Sequence, residues 1–222
     1  MELNEQVKSA LTELRKVEGR KFKQTVDLIV NLQKFEVKKT PLNIFINIPH
    51  KAKDKKVAGF FESKSDFIDT ITELDFKKYG DKKKLKGLVK KYDFFISQAK
   101  LMPKVATTFG RVLGPAGKMP SPQLGILLNA DEKSINELKD KISTSLRIRA
   151  KEASIKVAIG KENMNDEEIV ENVLTVFNEL VKALPKDKEN IKNLELKFTM
   201  TKPIKIQIRW KLKIQNPFQE AK

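Results

Sequence analysis

The sequence predicts an α+β domain formed by both termini, split by an inserted α/β (Rossmann-like) three-layer domain. Three observations carry this reading. Over 222 residues the hydrophobic content is 40%, enough for ordinary cores. A helix followed by alternating strands opens the chain, and the same chemistry returns past residue 143. Between the two, short apolar runs alternate with helices, the pattern of a parallel layer. Residues 1–52 offer one helix and two strands, too little to cover both faces of a sheet, while 143–222 supply further strands and a second helix. The expected domains are therefore 1–52 with 143–222, and 53–142.

In chain order, Val7, Ala10, Leu11, Leu14 and Val17 have helical spacing, with Gly19 as the stop. The period then changes to two. Val26, Leu28, Val30 and Leu32 alternate from Thr25, and Leu42, Ile44, Ile46 and Ile48 form a second alternating run. Pro49 to Lys56 has turn and charge character without an apolar anchor and marks a linker or domain edge. Val57 to Phe61 is a short buried run, Phe67, Ile68, Ile71 and Leu74 predict a helix, and a charged helix carries Leu85, Leu88 and Val89. Tyr92 to Ile96 is a buried strand, Leu101 to Phe109 a helix, Gly110 to Pro122 a loop, and Asp131 caps a helix holding Ile135 and Leu138. Ile155, Val157 and Ile159 alternate, and Asp166 precedes a long helix with Ile169, Val173, Val176, Phe177, Leu180 and Leu184. Two last runs, Leu194 to Met200 and Ile204 to Ile208, are joined by Thr201-Lys202-Pro203 as a hairpin.

Charge narrows the function. The chain has 45 Lys and Arg against 29 Asp and Glu, a net of +16, with +4, +7 and +5 over residues 1–52, 53–142 and 143–222. Cations on phosphates release condensed counterions, so nucleic acid is the leading partner. No helix sets a basic face against a bulky apolar one and no long apolar run occurs, so no membrane partner is expected. Without cysteine and with His50 as the one histidine, disulfides, zinc sites and most nucleophilic pairs lack their residues. No cofactor and no enzymatic activity are expected, although an enzyme using the α/β layer on a phosphorylated substrate is the rival class.

The segment Gly110 to Pro122 invites a phosphate-loop reading but fails its spacing, since Val112 and Met119 stand where a Walker A loop needs glycine and Ser/Thr. It reads as a rigid turn with Arg111 and Lys118 facing outward. His50 reads as a surface or hinge residue. Lys82, Lys83 and Lys84 with Lys86, Lys90 and Lys91 read first as a solvated helix face. Two segments look more like a recognition surface, Arg20-Lys21-Phe22-Lys23-Gln24-Thr25 and Lys197-Phe198-Thr199-Met200-Thr201-Lys202. Each combines cations for phosphates, hydroxyls for 2′-hydroxyls and an apolar group that excludes water. The alternative is that Phe22 and Met200 are core residues and the lysines protect a strand edge.

These residues resemble a known family. Phe109 to Gly125, FGRVLGPAGKMPSPQLG, is similar to a loop of the "L-one" large-subunit ribosomal proteins, in their archaeal and eukaryotic branch. Lys21-Phe22 with Thr25-Val26, Ile48-Pro49-His50, Tyr92-Asp93, Val157 to Lys161 and Phe198-Thr199-Met200 follow in the family's order over nearly the whole chain. The resemblance implies two domains, the second inserted in the first. It implies that the first binds 23S-type rRNA at the mobile lateral stalk beside the tRNA exit site, and that the protein represses its own messenger through a mimic of that site. Lys21, Phe22, Thr25, Thr199, Met200 and Thr201 carry over as the rRNA contact, with Arg20, Lys23, Lys197, Arg111 and Lys118 as secondary contacts. Thr201 departs from a family glycine, and its Cβ stands where the RNA backbone would approach; Ala116 departs from a family arginine.

A non-catalytic rRNA-binding protein is thus expected, ribosome-associated in the cytoplasm and a monomer when free. Its expected partners are stalk rRNA, exit-site tRNA and an operator on its own mRNA. A free-standing messenger-binding regulator is the alternative that the same surface permits.

Overall fold

The computed structural model describes residues 3–17, 21–36, 42–65, 67–79, 81–122, 124–128, 131–150 and 152–206. In chain order its elements are α1 (Leu3–Arg15), β1 (Thr25–Leu32), β2 (Asn43–Asn47), β3 (Val57–Phe60), β4 (Asp69–Ile71), α2 (Glu73–Phe76), α3 (Lys82–Lys91) and β5 (Phe94–Gln98). There follow α4 (Met102–Ala116), β6 (Ile126–Leu127), α5 (Glu132–Thr144), β7 (Ser145–Arg149), β8 (Ser154–Lys161), α6 (Asp166–Ala183), β9 (Ile191–Phe198) and β10 (Ile204–Ile206). The fold is mixed α/β, and the chain divides into two units, Met1–Lys53 with Thr144–Lys222, and Asp54–Ser143.

The first unit holds a four-stranded sheet in the order β10-β9-β1-β8. β1 alternates strictly between half-buried and buried residues, because its two faces meet different surroundings. Val26, Leu28 and Val30 lie opposite Phe198, Leu196 and Leu194 of antiparallel β9, and all six join one core with Val7, Leu11 and Leu14 of α1 and Val173, Val176 and Leu180 of α6. β2 and β7 form a separate antiparallel ribbon whose Ile46 and Ile148 enter the same core. Three expectations are corrected here. α1 ends at Arg15, so Val17 lies beyond it and is 52% exposed; Gly19 and Ile208 fall outside the described residues. β7 was not foreseen, since α5 runs into it with no turn residue between Thr144 and Ser145. The helix α6 starts on Asn165, which forms a capping box with Glu168, and Asp166 is its first residue.

The segment Pro49 to Lys56 does have anchors. Ala52 is buried, and the His50 backbone exchanges hydrogen bonds with the fully buried Asn172 side chain, donating to Oδ1 at 3.0 Å and accepting from Nδ2 at 2.9 Å. The His50 ring meets Glu171 Oε2 at 2.7 Å.

The second unit holds a wholly parallel sheet in the order β4-β3-β5-β6. Ala58, Phe60 and Phe95 enter a core with Phe76, Leu85, Leu88, Phe109 and Leu113, while Phe61, Ile96, Ile135 and Ile142 are buried outside it. Two expectations fail. The helix read over Phe67 to Leu74 is instead β4, paired with β3, followed by α2, which Thr72 and Asp75 start with a capping box; Phe67 and Leu74 are exposed. The loop read from Gly110 is helical as far as Ala116. Val105, Phe109 and Leu113 bury one face at helical spacing, and apart from the helix's own backbone nothing among the described residues lies within 4 Å of a Cβ at Gly110 or Gly114. The turn comes at Gly117, whose φ of 70° caps the helix in the left-handed region that glycine tolerates.

Candidate nucleic-acid interface

At one end of the first unit's sheet, β1 begins where β8 and β9 finish, with Thr25 opposite Lys161 and Val26 opposite Phe198. Antiparallel pairing thus brings the segment before β1 beside the turn after β9, and hydrogen bonds lock them. Thr199 Oγ1 accepts the Thr25 N–H at 3.1 Å. The Met200 N–H donates to Gln24 Oε1 at 3.1 Å. Thr201 Oγ1 accepts the Phe198 N–H at 2.9 Å and closes the turn.

Gln24 was missed by sequence reasoning. It is 3% exposed, its N–H donates to Glu162 Oε2 at 3.0 Å, and its carbonyl accepts the Glu162 N–H at 2.9 Å. The β8–α6 loop behind it is clamped by Arg15. That guanidinium donates to the Glu162 and Met164 carbonyls at 3.0 and 2.9 Å and pairs with Asp166 at 2.6 Å. A polar residue between Lys23 and Thr25 carried no signal of burial; its partners lie far away in sequence.

What this framework leaves outward is consistent. Phe22 is 52% and Met200 61% exposed, so the alternative that both are core residues is corrected. Lys21, Lys23 and Lys202 are exposed, and their ammonium groups make no ion pair with a described residue. The Thr25 hydroxyl has no partner among the described residues. The hydroxyls of Thr199 and Thr201 are instead engaged within the chain. Thr201 has no positive φ, so its backbone makes no demand for glycine. Lys197 is half-buried opposite Asp27. Burial pushes the Asp27 carboxyl up, and the Lys197 charge offsets this only in part.

The remaining candidates lie elsewhere. Arg20 is outside the described residues. Arg111 and Lys118 belong to the second unit. Arg111 is exposed on α4, but Lys118 does not face outward. Its ammonium donates to the Val89 and Tyr92 carbonyls at 2.7 Å each and caps the end of α3. Among the described residues no group of three His, Cys, Asp or Glu side chains is arranged for a metal ion, and no helix is long and apolar enough to cross a membrane.

Exposed cations, apolar side chains and a hydroxyl on a hydrogen-bonded frame suit a polyanion with grooves and sugars, and comparison with known proteins gives the class: the chain is a ribosomal protein, not an enzyme. Residues 14–202 match the Ribosomal protein L1p/L10e family, and the chain belongs to that family. It is similar to the large ribosomal subunit protein uL1 of Nanoarchaeum equitans, with 34% identity over 212 residues, 91% of this chain and 98% of that one. It is likewise similar to that of Thermofilum pendens, 37% identical over 217 residues and 92% of each chain, and to that of Pyrococcus abyssi, 32% identical over 200 residues, 85% of this chain and 89% of the other.

Proposed function

We propose that this protein is a ribosome-associated constituent of the large ribosomal subunit that binds 23S-type rRNA of the lateral stalk through the sheet end built by Lys21, Phe22, Thr25, Thr199, Met200 and Thr201. The observation that carries the reading is the pairing of two exposed apolar side chains, Phe22 and Met200, with unpaired lysines on a frame fixed by the buried Gln24. Phe22 and Met200 cover the RNA contact and exclude water, Lys21, Lys23 and Lys202 meet phosphates, and the Thr25 hydroxyl meets a 2′-hydroxyl. Thr199 and Thr201 act by holding this geometry.

The two units are read as a split α+β RNA-binding domain and an inserted Rossmann-like domain. On the ribosome the protein helps release deacylated tRNA from the exit site, and off it the same surface represses its own mRNA. Support comes from the named relatives, all large-subunit proteins, and from the net charge of +16. The test is a filter-binding titration against a stalk rRNA fragment, the chain's own leader mRNA and an unrelated RNA of equal length. Preference for the first two, lost in Phe22→Ala/Met200→Ala, supports the reading; equal binding to all three refutes it.

A further inference from the structure

The excess charge of the inserted residues sits in one place. Residues 53–142 carry 19 cations and 12 anions, and Lys77 to Lys91 alone carry eight lysines and one aspartate, a net of +7 that equals the whole excess. Outside that stretch the insertion is neutral. Within it, α3 buries Leu85, Leu88 and Val89. At 3.6 residues per turn the opposite face is centred on Lys83, Gly87 and Lys90, with Lys84 and Lys86 at its flanks.

All four of these lysines are exposed, and none of their ammonium groups has an ion-pair or hydrogen-bond partner among the described residues. Other lysines do pair, as Lys104 with Glu73, Lys182 with Glu179 and, at the end of α3 itself, Lys91 with Asp69. The sequence of α3 also works against its own helix. Lysines in the first turn meet the positive end of the helix dipole, like charges three and four residues apart repel, and Gly87 is the poorest helix former short of proline. Nothing among the described residues calls for that glycine: apart from its chain neighbours and its own helix backbone, no described atom lies within 4 Å of where its Cβ would stand, and its φ is ordinary. The helix is nonetheless held at both ends, by the Asp81 cap on the Lys83 N–H and by the Lys118 ammonium on the Val89 carbonyl.

We propose that the Lys83–Gly87–Lys90 face of α3 is a second RNA contact, where the phosphate backbone of an RNA helix lies against the protein backbone at Gly87 with Lys83, Lys84, Lys86 and Lys90 around it. A side chain at position 87 would hold phosphate away from these cations, which accounts for the glycine. The face has no bulky apolar residue, as a membrane-surface helix requires. The proposal rests on the chain binding RNA, but not on the sheet-end surface.

The test uses the full chain with an RNA duplex of about 20 base pairs of arbitrary sequence, long enough to span successive grooves, and with polyglutamate as a competing polyanion. Lys83→Gln/Lys86→Gln/Lys90→Gln reduces the slope of log affinity against log salt by about 2 to 3, since three phosphate contacts are lost. Gly87→Gln raises the melting temperature while weakening duplex binding severalfold. A merely structural glycine predicts the first effect without the second. An unchanged slope in the lysine variant, or Gly87→Gln binding as the parent does, overturns the proposal; so does a lysine variant that loses polyglutamate but keeps the duplex. If the parent fails to prefer stalk rRNA while the α3 variants still lose duplex affinity, the sheet-end reading falls and this one stands.

Discussion

The side-chain oxygen of Thr199 accepts the backbone N–H of Thr25 across 174 residues of sequence, so the two halves of the sheet-end surface are held by a group that the family resemblance assigns to RNA contact. Its first effect is on geometry. Thr199→Ala is expected to cost about 0.5 to 1.5 kcal/mol of stability, a typical hydrogen-bond contribution, and to weaken RNA binding along with it. Thr199→Ser keeps both. Thermal unfolding and filter binding on the same preparations decide; an alanine variant of parental stability that no longer binds RNA would return the hydroxyl to direct contact.

Thr25 behaves oppositely. Its hydroxyl has no partner among the described residues, and valine suits a strand at least as well as threonine. Thr25→Val is expected to leave the melting temperature unchanged and to cost about 1 to 3 kcal/mol of rRNA affinity by leaving an RNA polar group unpaired. Equal affinities for parent and variant would remove Thr25 from the contact.

Asp27 predicts a pH dependence. Its carboxyl is pushed up by burial, so the folded chain holds that proton more tightly than the unfolded chain does. Stability therefore falls as pH rises from the ordinary carboxylate range through the raised value, and the cost persists at neutral pH. Asp27→Asn should melt above the parent at neutral pH, with the difference vanishing below the ordinary carboxylate range. Melting curves over that span check the sign; a variant less stable at neutral pH means the Lys197 attraction outweighs burial.

The first unit should survive without the second. β2 and β7 pair up to Asn47 opposite Ser145, and the Ile48 N–H reaches the Thr144 carbonyl at 2.9 Å, so the end at Lys53 left by removing 54–143 is only five residues beyond a residue bonded to the other end. Joined by a short Gly/Ser linker, 1–53 and 144–222 should fold and keep the preference for stalk rRNA, while losing the salt-sensitive attraction contributed by α3. Circular dichroism and titrations at two salt concentrations test this. A folded fragment about a hundredfold weaker on stalk rRNA, roughly 2.7 kcal/mol, would put recognition in the deleted unit.

Legibility in the sequence followed the burial asymmetry of each segment. β1 and α6 have one wet and one dry side, so their periods of two and 3.6 stand out in Val26 to Leu32 and in Ile169 to Leu180. α4 misled because Gly110, Gly114 and Pro115 read as loop residues, yet burial of Val105, Phe109 and Leu113 carries the helix past the glycines. β7 was missed although Leu146, Ile148 and Ala150 alternate with Arg147 and Arg149, because it follows α5 directly with no turn residue to mark its start; in the fold Arg147 rests over the Phe45 ring of β2. At the candidate site, Phe22 and Met200 stand out in the sequence as apolar residues among cations, whereas Gln24 and Arg15 owe their positions to Glu162, Met164 and Met200, contacts that exist only after the sheet has formed.

The pairing of β1 with β8 and β9 has a consequence for the order of events during synthesis. Leu32, the last residue of β1, precedes the first residue of β8, Ser154, by 122 positions. At about 5 to 20 residues per second this strand waits roughly 6 to 24 seconds with both edges unpaired. Within that interval β3 to β6 have all emerged and pair only with one another, so the insertion completes its sheet while the apolar side of β1, with Val26, Leu28 and Val30, is still unpaired. The first strand synthesised is thus among the last to be paired, and the nascent chain is exposed to aggregation through β1 until β8 and then β9 leave the ribosome that made them.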